Sequence, residues 1–215
     1  MEMLTDLQKL AMQLFFAVPD LKRYFYLTGG TALAGFYLHH RYSDDLDFFT
    51  HSIEIASIER VVEDCWVAGK LSVVKERSSP TYRRYRLNGE LQIDIVRDVD
   101  MRVGAPQLHG ICLVDDPKNI AVNKITAIYG RLDAKDYVDL RLLLTRYEYD
   151  FFELFRHAQQ KDAGLELFQW AKIIADVDTF TVLPRMIDPV APSELQKFFH
   201  VLRKEIVSHL KAETR

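Results

Sequence analysis

The order of apolar and polar residues predicts helices at both ends of the chain and strands in the middle. A first helix, capped by Thr5 and ending near Pro19, is predicted to carry on one face Leu7, Leu10, Ala11, Leu14 and Phe15. Apolar runs bounded by turn residues predict strands at residues 24–28, 46–50, 71–76, 82–87, 91–97 and 110–114. Helical spacing predicts further helices at residues 32–39, 55–68, 118–129, 135–144, 151–160, 165–177 and 192–210.

This order predicts an α+β fold, with a mixed β-sheet flanked by helices and a C-terminal helical bundle. Asn88-Gly89, between two of the strand-like runs, predicts a hairpin. The last strand stops at Asp115-Asp116-Pro117, and Pro117 suits the first turn of a helix. We therefore expect a mixed α/β domain at residues 1–115 and a helical region packed against it at residues 116–215.

Three aspartates lie on predicted strands or directly before one, next to apolar residues. Asp45 and Asp47 flank a leucine, and Asp94 has an isoleucine on each side. Since side chains alternate between the two faces of a strand, Asp45 and Asp47 point to the same face. If the two strands are neighbours, three carboxylates converge, and such an oxygen-rich site suits Mg²⁺ or Mn²⁺. Two such ions about 4 Å apart can activate an attacking hydroxyl and stabilise a leaving pyrophosphate.

The turn Gly29-Gly30-Thr31 provides a second component of such a site. Glycines allow backbone N–H groups to approach an anion closely, and the N-terminus of the following helix favours phosphate. Alone, a Gly-Gly pair is most often only a turn, and an Asp-x-Asp is most often a solvated strand end. The order of the two motifs along the chain is more informative than either motif.

Composition indicates an ordinary globular protein and excludes several other classes. The formal net charge of −3 is spread evenly over 215 residues, so no polybasic or acidic tail indicates a partner. Cys65 and Cys112 lack a second ligand at metal-site spacing, and we interpret both as reduced core residues. The N-terminal residues do not resemble a signal peptide, and no segment has the roughly 18 uninterrupted apolar residues of a membrane span. We therefore expect a cytoplasmic protein without membrane contact.

Two separated segments resemble one known family. The segment GGTALAGFYLHHRYSDDLDFF, residues 29–49, followed later by Asp94, resembles the nucleotidyltransferase fold of the DNA polymerase β superfamily. Its Arg41 and Ser43, together with KITAIYGRLDAKDYVDLRLLL at residues 124–144, resemble the AbiEii/AbiGii toxin family of nucleotidyltransferases. One departure is Lys135, where arginine is common in the family. The resemblance covers residues 24–145, and residues 146–215 match only as a generic helical tail.

The resemblance implies transfer of a nucleoside monophosphate from an NTP to an acceptor hydroxyl. It implies that Asp45 and Asp47 hold the nucleotide-bound Mg²⁺ or Mn²⁺, while Asp94 completes a second metal site and acts as the catalytic base. Lys124 is expected to be a catalytic residue that contacts the triphosphate. The other expected triphosphate-binding residues are Gly29, Gly30, Thr31, Arg41, Ser43 and Arg131.

Structural explanations remain open for several of these residues. Lys124 could lie on a solvated helix face, and Arg131 could form an ion pair with Asp136. Arg41 and Ser43 could hold the acidic loop in place instead of binding phosphate.

The acceptor is less well indicated. Residues 70–86 hold six basic residues and one acid, with interleaved tyrosines, which suits an RNA backbone but also a solvent-facing hairpin. Some relatives are toxins that add nucleotides to tRNA, so the resemblance makes tRNA or another RNA a candidate acceptor and a cognate antitoxin a candidate partner. The alternatives are a small-molecule acceptor such as an aminoglycoside, or a non-catalytic nucleotide-binding regulatory module.

Overall fold

The computed structural model describes residues 3–213, which fall into two compact units. Residues 3–100 and 104–116 form the first, here called the sheet unit. Residues 101–103 and 117–213 form the second, here called the helical unit. Residues 1, 2, 214 and 215, which the predicted domain ranges include, lie outside the described residues.

The sheet unit contains a mixed sheet. Within residues 3–213 its seven strands are β1 (Tyr26–Thr28), β2 (Asp45–Thr50), β3 (Val73–Ser79), β4 (Tyr82–Leu87), β5 (Leu91–Arg97), β6 (Gln107–His109) and β7 (Cys112–Val114). Their order in the sheet is β3-β4-β5-β2-β1-β7-β6. The pairs β2/β5 and β1/β7 are parallel, and the other neighbouring pairs are antiparallel. The strands that carry the predicted aspartates, β2 and β5, are therefore direct neighbours.

Four α-helices belong to the described part of the sheet unit: α1 (Asp6–Ala17), α2 (Pro19–Tyr24), α3 (Gly29–Ala32) and α4 (Ile55–Ala68). A π-helical segment, Leu33–Leu38, continues α3. In the helical unit the elements are α5 (Pro117–Gly130), α6 (Ala134–Arg146), α7 (Phe151–Lys161), α8 (Leu167–Ile173), a 3₁₀ segment (Ile174–Thr179) and α9 (Pro192–Glu213). No helix within residues 3–213 combines the length and the apolar character that crossing a membrane requires.

An aromatic core joins α1 and α4 to one face of the sheet. The Phe15 ring stacks on Phe48 of β2 with 4.2 Å between centroids, and Trp66 of α4 contacts Phe15 and Tyr85. The indole N–H of Trp66 donates to the backbone oxygen of Ala11 at 3.2 Å. Since the aspartates alternate with the apolar residues of β2 and β5, they lie on the opposite face of the sheet from this core.

Two buried aromatic residues organise the core of the helical unit. The indole N–H of Trp170 donates to the backbone oxygen of Ile125 at 3.1 Å, which joins α8 to α5. The Tyr137 ring of α6 packs edge-to-face on Phe199 of α9, and its hydroxyl donates to the backbone oxygen of Ile173. The helical unit thus has a hydrophobic core of its own.

Several predicted elements differ from the structure. The predicted strand at 24–28 begins only at Tyr26, because the short helix α2 precedes it. The predicted helix at 32–39 begins at Gly29, turns into the π-helix and ends at His39, which has a φ of 51°. The predicted helix at 165–177 divides into α8 and the 3₁₀ segment, and strand β6 was not predicted. The apolar face of α1 is also rotated, since Leu10 is exposed whereas Met12 is buried.

Candidate functional site

The predicted aspartates lie side by side on β2 and β5. In the parallel register Asp47 is directly opposite Asp94, and Asp45 is opposite Gln92. Asp45 and Asp47 are partly exposed and alternate with the buried Leu46, so their side chains share the polar face of β2. The strands β2 and β5 are thus direct neighbours, which was the condition under which the sequence predicted that their aspartates converge.

The glycine turn lies against these acids. Gly29 adopts a left-handed conformation with a φ of 70°, and a Cβ at this position would overlap the Asp47 carboxylate. Both facts require glycine here, because other residues are strained at positive φ and no side chain fits beside the carboxylate. The turn and the acidic strand are in direct van der Waals contact as a result.

Arg41 and Ser43 connect the same turn to Asp45. A Cβ at Gly30 would overlap the guanidinium of the buried Arg41 and would lie 3.0 Å from the Ser43 hydroxyl oxygen. The Ser43 hydroxyl donates to Asp45 Oδ1 at 3.2 Å, and the Thr31 hydroxyl donates to the backbone oxygen of Asp45. The predicted triphosphate-binding residues of the sheet unit thus lie together at the start of β2, where Thr31 and Ser43 also hold Asp45 in place.

Asp94 accepts hydrogen bonds from two side chains of the neighbouring strand β4. Arg84 of β4 donates from Nε to Oδ1 and from Nη2 to Oδ2, both at 2.8 Å. The Tyr82 hydroxyl donates to Oδ1 at 2.9 Å. Burial and this hydrogen bond raise the pKa of Tyr82 to about 12, and the hydrogen bond to Asp94 raises the pKa of Arg84 above its ordinary value. The carboxylate of Asp94 therefore belongs to an ion pair within the sheet.

The donor set fits a divalent cation in part. Asp45 and Asp47 offer carboxylate oxygens of the type that Mg²⁺ and Mn²⁺ prefer. The glycine turn beside them leaves room for the Asp47 carboxylate. Across residues 3–213, however, no three His, Cys, Asp or Glu side chains are grouped so that they could hold a metal ion. Asp94, the third predicted ligand, is engaged with Arg84.

Lys124 and Arg131 lie in the helical unit, where both contact Asp136. The Lys124 ammonium is 2.8 Å from Asp136 Oδ1 and 2.7 Å from Asp139 Oδ2, and both carboxylates are fully buried. Arg131 donates from Nε to Asp136 Oδ2 at 2.7 Å. Burial alone would raise the pKa of Asp136, but the charges of Lys124 and Arg131 hold it below its ordinary value. The Arg131–Asp136 pair considered from the sequence is present, and Lys124 lies in the interior instead of on a solvated face.

Comparison with known proteins identifies the family. The family model described as "Nucleotidyl transferase AbiEii toxin, Type IV TA system" matches residues 11–206. The chain belongs to the AbiEii family. It is a nucleotidyltransferase, as the two sequence segments predicted, and the predicted α+β fold class is confirmed.

Three proteins similar to this AbiEii-family chain share between 12% and 33% sequence identity with it. An uncharacterized protein of Aquifex aeolicus, aq_aa25, is 33% identical over 153 residues, covering 66% of this chain and 68% of that protein. A candidate nucleotidyltransferase from Helicobacter pylori shares the fold with a TM-score of 0.57 at 18% identity, covering 96% of this chain and 94% of its own. The antibiotic-resistance factor ANT(2'')-Ia has a TM-score of 0.51 at 12% identity, covering 73% and 92%. These two solved structures support the fold of the AbiEii-family chain.

Basic residues of the predicted RNA-binding segment are largely paired in this nucleotidyltransferase. Lys75 and Arg83 both contact Glu59 of α4, at 2.6 and 2.8 Å. Arg86 pairs with Glu76 at 2.8 Å, and Arg84 pairs with Asp94 as described. Arg83 is buried on the core side of the sheet, so it does not contribute to an open basic surface.

Sequence reasoning missed a buried acid next to the glycine turn. Asp115, fully buried after β7, accepts a hydrogen bond of 2.7 Å from the Thr28 hydroxyl. Thr28 precedes Gly29 and pairs with Asp47 in the register of β1 and β2. Asp115 therefore fixes the residue from which the turn begins. The available sequence signal is its position directly after an apolar strand, a pattern that by itself indicates only a strand end.

Proposed function

We propose that this AbiEii-family nucleotidyltransferase moves a nucleoside monophosphate from an NTP to a hydroxyl of an RNA, with tRNA as the first candidate. We further propose that the reaction depends on Mg²⁺ or Mn²⁺ and takes place in the cytoplasm, where NTP and tRNA are found. The family description as a toxin supports a third element, a role as the toxin of a toxin–antitoxin pair with a cognate antitoxin.

The observation that carries this proposal is the contact between the Gly29 turn and the Asp47 carboxylate. It joins a backbone suited to phosphate to a carboxylate suited to a cation, and a metal-bound triphosphate needs both. When bound, a divalent cation neutralises charge on the triphosphate and polarises the reacting oxygens. Phosphoryl transfer needs mainly such positioning and charge stabilisation from the protein.

The residues of the sheet unit have distinct tasks in this proposal. Asp45 and Asp47 hold the cation, and backbone N–H groups at Gly29 and Gly30 orient the phosphates. Ser43 holds the Asp45 carboxylate through its hydrogen bond. The assignments of Asp94 as base, and of Lys124 and Arg131 to the triphosphate, stay predictions.

The test is incubation of the purified chain with Mg²⁺ and each labelled NTP, with and without total tRNA. We expect label on RNA from one or more NTPs, and a loss of at least about a hundredfold in Asp47→Asn, since electrostatic stabilisation of the transfer contributes that much or more. Asp44→Asn is the matched control, because Asp44 is an exposed neighbour outside β2. Equal transfer by Asp47→Asn and Asp44→Asn would refute the metal-binding role of Asp47.

A second candidate acceptor is a small molecule. The fold is shared with an antibiotic-resistance factor, and the pairing of basic residues in the hairpin reduces the charge available to RNA. A parallel reaction with an aminoglycoside in place of tRNA distinguishes the two. The toxin role has its own readout, since induced expression in bacteria should arrest growth with the unmodified chain but not with Asp47→Asn.

A further inference from the structure

Arg84 is the residue of the candidate site that the proposed reaction does not use. It lies on β4, directly opposite Asp94 in the antiparallel register, and Asp94 is in turn opposite Asp47 on β2. Arg84, Asp94 and Asp47 thus form a row across three neighbouring strands on one face of the sheet. Strand spacing makes successive members of this row neighbours at about 5 Å.

The contacts show toward which neighbour Asp94 is held. Both of its oxygens accept hydrogen bonds from the Arg84 guanidinium, and Tyr82, also on β4, adds a third. Arg84 and Tyr82 both lie on the side of Asp94 that is away from Asp47. The side chains of Arg84 and Asp94 are 25% and 13% exposed, so solvent screens this ion pair less than it screens a pair on the open surface. The carboxylate is therefore held toward β4 and away from the acids of β2.

A cation bridging all three aspartates would have to compete with this pair. A bidentate guanidinium–carboxylate contact is among the stronger hydrogen-bonded pairs in proteins, and with the Tyr82 hydroxyl it occupies three of the about four lone-pair sites of the Asp94 carboxylate. A second divalent cation placed next to Arg84 would also face an unfavourable like charge. Both effects disfavour the two-metal arrangement that the sequence predicted.

We propose that Arg84 is the resident counter-ion of Asp94, so that the nucleotide-free chain binds one divalent cation, through Asp45 and Asp47, and a second only when Arg84 is withdrawn. This inference rests on the proposed function, because it concerns the same metal site. Arg84 is a positioning residue here, since it acts on the cation through Asp94. A phosphate group offers a guanidinium the same paired oxygens as a carboxylate does, so an incoming triphosphate is the kind of ligand that can withdraw it.

The experiment measures Mn²⁺ binding without nucleotide, by the electron paramagnetic resonance signal of free Mn²⁺. We expect one bound ion in the unmodified chain and two in Arg84→Gln, with the second site at least about tenfold tighter than any second site of the unmodified chain. Tenfold is the lower size expected for releasing a charged hydrogen-bonded pair. Arg84→Lys keeps the charge but not the bidentate geometry, so the affinity of its second Mn²⁺ site should lie between those of the unmodified chain and Arg84→Gln.

Two further variants separate this role from a general effect on the hairpin. Arg86→Gln removes the next guanidinium on the same face of β4, which is paired with Glu76, and should leave one bound ion. The double variant Arg84→Gln, Asp94→Asn should lose the second ion again. Circular dichroism checks the fold of each variant, and if Arg84→Gln does not fold, the Arg84→Lys result decides.

The outcomes distinguish this inference from the proposed function. If the unmodified chain and Arg84→Gln each bind two ions, with the same affinities in both proteins, the inference is overturned but the metal-dependent function stays intact. A single ion in both folded proteins would overturn it as well. No Mn²⁺ binding in any variant would overturn the inference together with the metal role of Asp45 and Asp47.

Discussion

Replacement of Lys124 by methionine should destabilise the helical unit strongly. The change keeps most of the apolar stem and removes an ammonium that is 2.7–2.8 Å from two fully buried carboxylates. Removing one partner of a buried ion pair typically costs about 3–5 kcal/mol, because the remaining charge stays desolvated. Arg131 still pairs with Asp136 but is 61% exposed, so it compensates only in part. We therefore expect a loss of about 3 kcal/mol in the free energy of unfolding.

The matched control is Lys118→Met on the same helix. Lys118 pairs with Glu153 at 2.6 Å, but both side chains are partly exposed, and exposed pairs contribute about 0–1 kcal/mol. Urea unfolding followed by circular dichroism gives both free energies, and amide hydrogen exchange in α5 and α6 locates the loss. A change below about 1 kcal/mol for Lys124→Met, or one equal to that of Lys118→Met, would refute the reasoning.

The pH dependence of the same variant gives an independent check. In the unmodified chain the lowered pKa of Asp136 means that this carboxylate stabilises the fold above its ordinary value of 3.8, and the contribution is lost as the pH falls through the lowered value. Without Lys124, burial dominates and favours the protonated form of Asp136. The stability gap between Lys124→Met and the unmodified chain should therefore narrow as the pH falls from 7 toward 4. A gap that is constant with pH would contradict a charge effect.

Two other predictions concern the sheet unit. Gly29→Ala should abolish nucleotide transfer, because the added Cβ overlaps the Asp47 carboxylate, whereas Gly89→Ala, with a similar positive φ and open space, should lose about 1 kcal/mol of stability and keep transfer. Hydrogen bonds from Arg83 and Lys75 lower the pKa of Glu59 from 4.5 to about 2, so the stability it provides above pH 4.5 should be lost as the pH falls toward 2. Acid unfolding curves should show a shallower dependence over that range in Glu59→Gln.

The sequence predicted most accurately those elements whose pattern is both long and regular. Helix α4 and strands β4 and β5 have the predicted bounds, because each combines clear periodicity with a turn signal at its end. The six-residue helix α2 and the three-residue strand β6 are too short for any periodicity to appear. The π-helix after Gly29 could not be predicted either, since its pattern of apolar residues is also that of an α-helix.

In the candidate site, the sequence predicted which face of a strand a side chain occupies but not which residue lies opposite it on the next strand. Alternation alone was sufficient to place Asp45 and Asp47 on one face of β2. The partner of Asp94 depends on the hairpin, where Asn88-Gly89 favours a two-residue turn that would pair Leu87 with residue 90. The structure pairs Leu87 with Leu91 instead, which brings Arg84 opposite Asp94. A shift of one residue would have turned Arg84 to the other face, so the ion pair depends on the register of the hairpin, which the turn residues alone did not fix.

The ion pairs of the basic residues on β3 and β4 change how an RNA acceptor could bind this hairpin. Arg83 donates to Glu59 and to the backbone oxygen of Tyr82 from a buried position, so its charge stabilises the fold and is not available to phosphate. Lys75 is exposed and Arg86 is half-buried, and both could exchange their acidic partners for phosphates. Release of Arg86 would take from Glu76 its ion pair, whereas Glu59 would keep Arg83 after release of Lys75. An exchange of partners contributes less than a contact made by an unpaired cation. Any RNA contact on this hairpin should therefore be weaker than its six basic residues suggest, because four of them are already held in ion pairs.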